Sequence, residues 1–164
     1  MAKSKLPSKW KTLFTGNVTI CGKTRQMELK KALCQDGVER FTICIPGFCA
    51  IPLGPSLEVV FDFLRGIGLK LGSKPKNQQG KLIFQAKTDF PNLPQRQAIG
   101  VKIYKTANND YECVLSKLFN PPCAPLYGRN SFTESTLEDI FSQIEDLKTF
   151  YGRNAYNVTP NLDF

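Results

Sequence analysis

Side chains that could carry catalysis are scarce in this sequence, and no histidine is among them. That absence removes the commonest general base, most zinc sites and every nucleophile that depends on an adjacent imidazole. Glu58 and Asp62 have the i, i+4 spacing that places two carboxylates on one helix face, although a solvated face explains them as well. The six cysteines include no CxxC pair. The sequence therefore predicts a binding protein with no enzymatic activity, cofactor or metal, and an unrecognised enzyme stays an alternative.

Charge is the feature that stands out. The chain has 22 lysines and arginines against 14 acidic residues, a formal net charge of +8 and a pI of about 9.2. A positive field of this size favours polyanionic partners, such as nucleic acid, ribonucleoprotein or an anionic lipid surface. The alternative is that the charge serves only solubility.

The uneven distribution of charge favours a partner over solubility alone. Residues 1–31 contain eight cations against Glu28 alone, residues 65–105 contain nine against Asp89 alone, and the C-terminal stretch is acidic. We predict contacts with a polyanion or a membrane through seven lysines: Lys3, Lys5, Lys9, Lys11, Lys74, Lys76 and Lys81. Trp10 lies among the first of them and suits an interface, or alternatively packs on the core.

The elements that would position these residues are strands and two helices. Strand patterns occupy 13–20, 41–45, 81–87, 98–105 and 111–118, with a turn at Asn108-Asn109, and residues 26–34 suggest a short helix. A helix follows Gly54-Pro55, with the proline at its first position, and a second begins with a capping box of Ser135 and Glu138 and ends at Gly152. The order predicts an α+β fold, an antiparallel sheet packed against helices in a single domain. We expect a flexible basic arm at 1–10 and a globular domain at 11–164.

The chain start has no apolar segment of the kind found in signal peptides, and no apolar run approaches the length that spans a bilayer. The cysteines are therefore interpreted as reduced, and the protein as intracellular.

The order of these features resembles the matrix proteins of rhabdoviruses, particularly the plant-infecting cytorhabdovirus type. The resemblance rests on the lysine-rich start, a first strand at 10–20, the proline-led helix ending in Phe61-Asp62-Phe63-Leu64, the polar loop 72–80 and the terminal amphipathic helix. The Pro-Pro-x-Tyr budding motif of the family is missing, since the segment that begins at Pro121-Pro122 does not match it.

The resemblance implies a non-enzymatic virion protein that binds the viral nucleocapsid or RNA, contacts an anionic membrane peripherally and associates with its own copies as an oligomer or filament. It would be found in the host cytoplasm and the virion. Self-association would involve Leu6 and Trp10 of the arm and a receiving site between Ser73 and Gly80. The alternative function is that of a viral nucleic-acid-binding protein, such as a silencing suppressor or a replication accessory factor.

Overall fold

A computed structural model describes residues 7–34, 36–47, 54–72, 80–90, 97–115 and 131–158. The chain divides into two compact units, residues 1–70 and 71–164. Both combine antiparallel strands with one helix, which confirms the α+β class and the antiparallel pairing. The assignment of residues 1–10 to an arm and 11–164 to one domain stays a prediction.

The first unit contains three strands in the order β3-β2-β1: β1 (Pro7–Ile20), β2 (Lys23–Cys34) and β3 (Glu39–Cys44). The segment 26–34 is therefore strand and not the short helix that its Met, Leu and Lys content favoured. The physical reason is pairing on both sides, since Leu29 lies opposite Phe14 of β1 and Ile43 of β3. All three of these side chains are buried, and this tertiary burial outweighs helix propensity.

A helix, α1 (Leu57–Gly66), completes the first unit beside β3. Its buried residues recur at helical spacing, as the sequence predicts: Leu57, Val60, Phe61 and Leu64. The helix begins after Ser56, whose Oγ accepts a hydrogen bond from the Val59 amide at 3.3 Å. Pro55 therefore precedes the capping residue and does not occupy the first helical position.

The end of α1 is fastened to the β1–β2 hairpin. The hairpin turns at Cys21-Gly22, where both residues have positive φ (52° and 81°), as a two-residue type I′ turn requires. The Cys21 amide donates to the Gly68 carbonyl at 3.2 Å, and the Lys70 amide donates to the Thr19 carbonyl at 2.8 Å. Gly68 has φ of +104°, and a Cβ there would lie 2.7 Å from the Cys21 sulfur.

The second unit contains four strands in the order β4-β5-β6-β7: β4 (Lys81–Phe90), β5 (Gln97–Lys105), β6 (Tyr111–Leu115) and β7 (Ser131–Glu134). The predicted turn between β5 and β6 is confirmed, because Asn109 has φ of 64° and the Thr106 hydroxyl accepts from the Asn108 and Asp110 amides. β7 was not predicted from the sequence.

The helix of this unit, α2 (Leu137–Val158), lies beside β6 and β7 and covers one face of the strands. Phe141 meets Phe84 of β4 edge to face, with ring centroids 6.1 Å apart. The apolar stripe is buried as predicted at Leu137, Ile140, Phe141, Ile144 and Leu147.

Both predicted ends of α2 are wrong. The cap is Thr136, whose Oγ1 accepts from the Asp139 amide at 3.1 Å, and not Ser135 with Glu138. The helix also continues through Gly152 to Val158, because a glycine permits a helix to end but does not force it to end. Neither helix, within the described ranges, is long and apolar enough to cross a membrane.

Phe141 allows a quantitative test of this packing. Because its ring is 1% exposed and packs on Phe84, Phe141→Ala should lower the free energy of unfolding by roughly 3–5 kcal/mol. Denaturant unfolding followed by circular dichroism measures this. Ser142→Ala, at an exposed position next in the helix, is the control and should change little. An unchanged unfolding midpoint for Phe141→Ala would contradict the packing.

A second expectation concerns Gly68. An alanine there would be strained at this positive φ and would clash with Cys21. Gly68→Ala should therefore lower the free energy of unfolding by more than about 1 kcal/mol. Gly66→Ala is the matched control, because a Cβ at Gly66 meets nothing within 4 Å and helical alanine is favoured over glycine. Equal stability of the two variants, compared by thermal unfolding, would refute the fastening of α1 to the hairpin.

Candidate polyanion-binding surface

Four of the residues singled out from the sequence can be located in detail. Lys11 is exposed on β1, Lys81 is exposed at the start of β4, and Trp10 is 37% exposed. Gly80 is buried, and a Cβ there would lie 2.9 Å from the Cβ of Tyr104.

The remaining candidates lie outside what the structure describes. Lys3, Lys5, Leu6, Ser73, Lys74 and Lys76 fall in ranges without a description, and Lys9 is described only as part of the β1 backbone. Their roles in polyanion binding and self-association stay predictions. The same holds for Gly80 as a self-association residue.

Lys81 lies directly opposite another lysine. In the antiparallel pairing of β4 with β5, Lys81 is the partner of Lys105, and Lys105 is in turn the partner of Tyr111 on β6. The Lys105 Nζ lies 6.0 Å from the centroid of the Tyr111 ring, within reach of a cation–π attraction. Directly opposed residues project to the same face, so the two lysine side chains leave the sheet from neighbouring backbone positions.

Lys11 repeats this arrangement in the first unit. It is the β1 partner of Lys31 on β2, which is the partner of Phe41 on β3. Lys31 also makes an ion pair with Glu39, with Nζ and Oε2 2.7 Å apart. Each unit therefore places an exposed lysine opposite a second lysine, and we call Lys11–Lys31 and Lys81–Lys105 the opposed lysine pairs.

Two further lysines share the face of β4 and β5 that α2 does not cover. Lys102 pairs with Gln85, and Lys87 pairs with Gly100, so these residues project to the side away from Phe84. We call this side the open face. Lys105 lies three residues after Lys102 on β5 and therefore projects to the other side of the strands. The pair Lys81–Lys105 thus lies on the same side as Phe84, at the end of β4 and β5.

The chain at Gly72 runs along the open face. Its amide donates to the side-chain Oε1 of Gln85 at 2.6 Å. A Cβ at Gly72 would lie 3.4 Å from the Lys102 Nζ, so the backbone at Gly72 passes directly beside that ammonium group.

Acidic residues on the open face have interactions of their own. Asp89 lies two residues beyond Lys87 on β4, and Glu112 of β6 lies opposite Tyr104; both interact with other groups. In the described part of the chain, the cations of the ion pairs are Lys30, Lys31, Arg40, Arg65 and Lys148, and not the lysines at 11, 81, 87 and 102. These four lysines, like the exposed Lys23 and Lys70, are therefore candidates for contact with an external anion.

Trp10 belongs to a separate row across the first unit. It pairs with Ala32 of β2, which pairs with Arg40 of β3, so the three side chains share a face. Arg40 donates to both carboxylate oxygens of Asp36, at 3.2 and 3.0 Å. This two-pronged contact raises the pKa of Arg40 and lowers the pKa of Asp36, which keeps both groups charged.

Two of the groups that could serve catalysis are engaged or buried. Asp62 of the predicted carboxylate pair accepts from the Arg65 guanidinium. Burial, followed by the charge of Glu112, raises the pKa of the Cys113 thiol, which opposes formation of a reactive thiolate. Among the residues described, no three histidine, cysteine or acidic side chains are grouped as a metal site requires.

Sequence reasoning found Lys11 and Lys81 but missed what makes them distinctive, their partners Lys31 and Lys105. The partners depend on strand register, and each pairing is offset by a β-bulge, between Thr12 and Phe14 in β1 and between Leu82 and Phe84 in β4. A bulge changes which residues face each other without leaving a clear signal in the sequence.

Comparisons with models of protein families, with curated proteins and with solved structures give no match for this chain. Its own residues therefore carry the assignment of the surface.

The opposed lysine pairs have a measurable consequence for stability. Like charges directly opposite each other in a ladder are unfavourable, so Lys81→Gln should raise the free energy of unfolding by about 0.2–1 kcal/mol at low salt. The control is Lys87→Gln on the same strand, because Lys87 faces Gly100 and has no cation opposite it. The gain should shrink as salt screens the repulsion. A loss of stability in Lys81→Gln, or an equal gain in Lys87→Gln, would contradict the repulsion.

Proposed function

We propose that this chain is a non-enzymatic protein that binds the phosphate backbone of nucleic acid, as a viral matrix-type protein does when it binds ribonucleoprotein. The observation that carries the proposal is the pair of opposed lysines in each unit, Lys11–Lys31 and Lys81–Lys105. Opposed lysines repel each other, Glu39 offsets part of the charge of the first pair through its ion pair with Lys31, and a bound anion would offset the repulsion that remains.

Nucleic acid suits these positions because its phosphates form a continuous row of negative charges. Lysines that neutralise phosphates displace condensed counterions, so the binding constant falls steeply as salt rises. Lys87 and Lys102 are two further cations, on the open face of β4 and β5, which is the side opposite the pair Lys81–Lys105. The net charge of +8 adds a general attraction that accelerates encounter.

The matrix-type function adds two properties to nucleic-acid binding, contact with anionic membrane and association with copies of the chain. Both belong to the proposal through the resemblance in element order. Flotation with phosphatidylserine vesicles and sedimentation across a concentration series distinguish it from the alternative, a silencing suppressor or replication factor. A matrix-type protein should float with vesicles and form assemblies that grow with concentration.

The direct test of nucleic-acid binding compares two double variants of equal net charge. Lys11→Gln with Lys81→Gln removes the exposed member of each opposed pair, whereas Lys23→Gln with Lys70→Gln removes two exposed lysines that face no lysine. Binding of a single-stranded RNA oligonucleotide is measured by fluorescence anisotropy over a range of salt. The slope of log K against log salt should fall by about 0.7 for each lysine–phosphate interaction that the substitutions remove.

We expect that decrease in the first variant and a smaller change in the control. Equal weakening in both variants would mean that net charge alone drives binding. Binding by neither the wild type nor the variants would refute the proposed function.

A further inference from the structure

Trp10 is an exposed aromatic residue on a strand face where Ala32, Cys34 and Thr42 are buried. Trp10 is 37% exposed, and the other large hydrophobic residues that are exposed in the described ranges are aliphatic: Leu33, Val38 and Val59. Trp10 lies within β1 and pairs with Ala32, so its backbone is held while its indole meets solvent. Apolar rings that stay exposed on a fixed backbone suit contact with a partner.

The surroundings of Trp10 are small and cationic. Ala32, its partner, has a short side chain and is buried, and Arg40 follows on β3. Adjacent strands are about 4.8 Å apart, so Trp10 and Arg40 stand roughly 10 Å apart at their backbones, with the buried Ala32 between them. The next row on this face contains Thr12, Lys30 and Thr42.

Arg40 is held in place before any partner arrives. Its guanidinium is fixed by both oxygens of Asp36, and Asp36 also accepts from the Val38 amide at 3.0 Å. A planar guanidinium that is already oriented loses little entropy when a base stacks on it. The row thus offers an indole and a guanidinium, the two kinds of plane on which nucleobases stack, and the next row adds Lys30, whose Nζ lies 4.0 Å from the Glu28 Oε1.

We propose that Trp10 stacks on an unpaired nucleobase, so that the nucleic acid bound by this chain is single-stranded. This inference rests on the proposed function, in which the chain binds nucleic acid. It adds a preference for single strands over duplexes, which lysine–phosphate contacts do not provide. Lysines bind phosphates of single and double strands alike, whereas the faces of paired bases inside a duplex are covered by their neighbours.

The chain provides its own probe, because Trp10 is its only tryptophan. Full-length protein is titrated at low salt with single-stranded oligouridylate, with duplex RNA, with inorganic polyphosphate and with phosphatidylserine vesicles. Tryptophan emission reports stacking, and calorimetry reports binding. We expect oligouridylate to quench the emission strongly at saturation, and polyphosphate and duplex RNA to bind with little quenching.

Three substitutions sharpen the result. Trp10→Phe keeps an aromatic plane and should retain most of the affinity for oligouridylate, whereas Trp10→Ala and Trp10→Leu should lose roughly five- to a hundredfold. Affinity for polyphosphate should be unchanged in all three, and circular dichroism checks that the variants are folded.

The outcomes separate the inference from the proposed function. If oligouridylate and polyphosphate both bind while emission stays constant, or if Trp10→Leu binds oligouridylate like the wild type, stacking is refuted and phosphate binding stands. If vesicles shift the emission to shorter wavelength and oligouridylate does nothing, Trp10 is a membrane contact and stacking is refuted. If no polyanion binds, both the inference and the proposed function fail.

Discussion

Packing of α2 against one face of β4–β7 determines which side chains of that unit meet solvent. The edge-to-face contact of Phe141 with Phe84 lies in a layer where Ala86, Val101 and Ile103 are also buried. Because side chains alternate along a strand, burying this layer projects Gln85, Lys87 and Lys102 to the other side. One apolar interaction therefore both stabilises the unit and presents the lysines of its open face.

In the first unit, the helix that packs beside the strands is α1, next to β3. Phe14, Leu29 and Ile43 share a buried face through their register, and Trp10, Ala32 and Arg40 occupy the opposite face because of the bulge between Thr12 and Phe14. Without that bulge the N-terminal part of β1 would project its side chains to the other side. The position of Trp10 and the pairing of Lys11 with Lys31 thus depend on the same local irregularity.

Much of the architecture could be anticipated from residue patterns, and the errors have physical causes. The stripes of α1 and α2 follow helical spacing, and the strands 41–45, 81–87 and 98–105 alternate or are rich in β-branched residues, so both kinds of element were recognisable. The strand at 26–34 was misread because Met27, Leu29 and the lysines favour helix locally, while pairing on two sides decides otherwise. The opposed lysine pairs could not be predicted, because two bulges set their register. The basic character of the chain could be predicted from composition. The exposure of Trp10 and the ion pair that orients Arg40 two strands away could be found only in the structure.

The central claim of the proposed function is that a nucleic-acid backbone binds at the opposed lysine pairs. Amide chemical-shift mapping by nuclear magnetic resonance, with single-stranded RNA added to the isotopically labelled full-length chain, tests this at each position. We expect the largest changes at Lys11, Lys31, Lys81 and Lys105, and small changes at the acidic residues Asp139 and Glu145 of α2. Changes concentrated on α2, or none at the four lysines under conditions where RNA is bound, would contradict it.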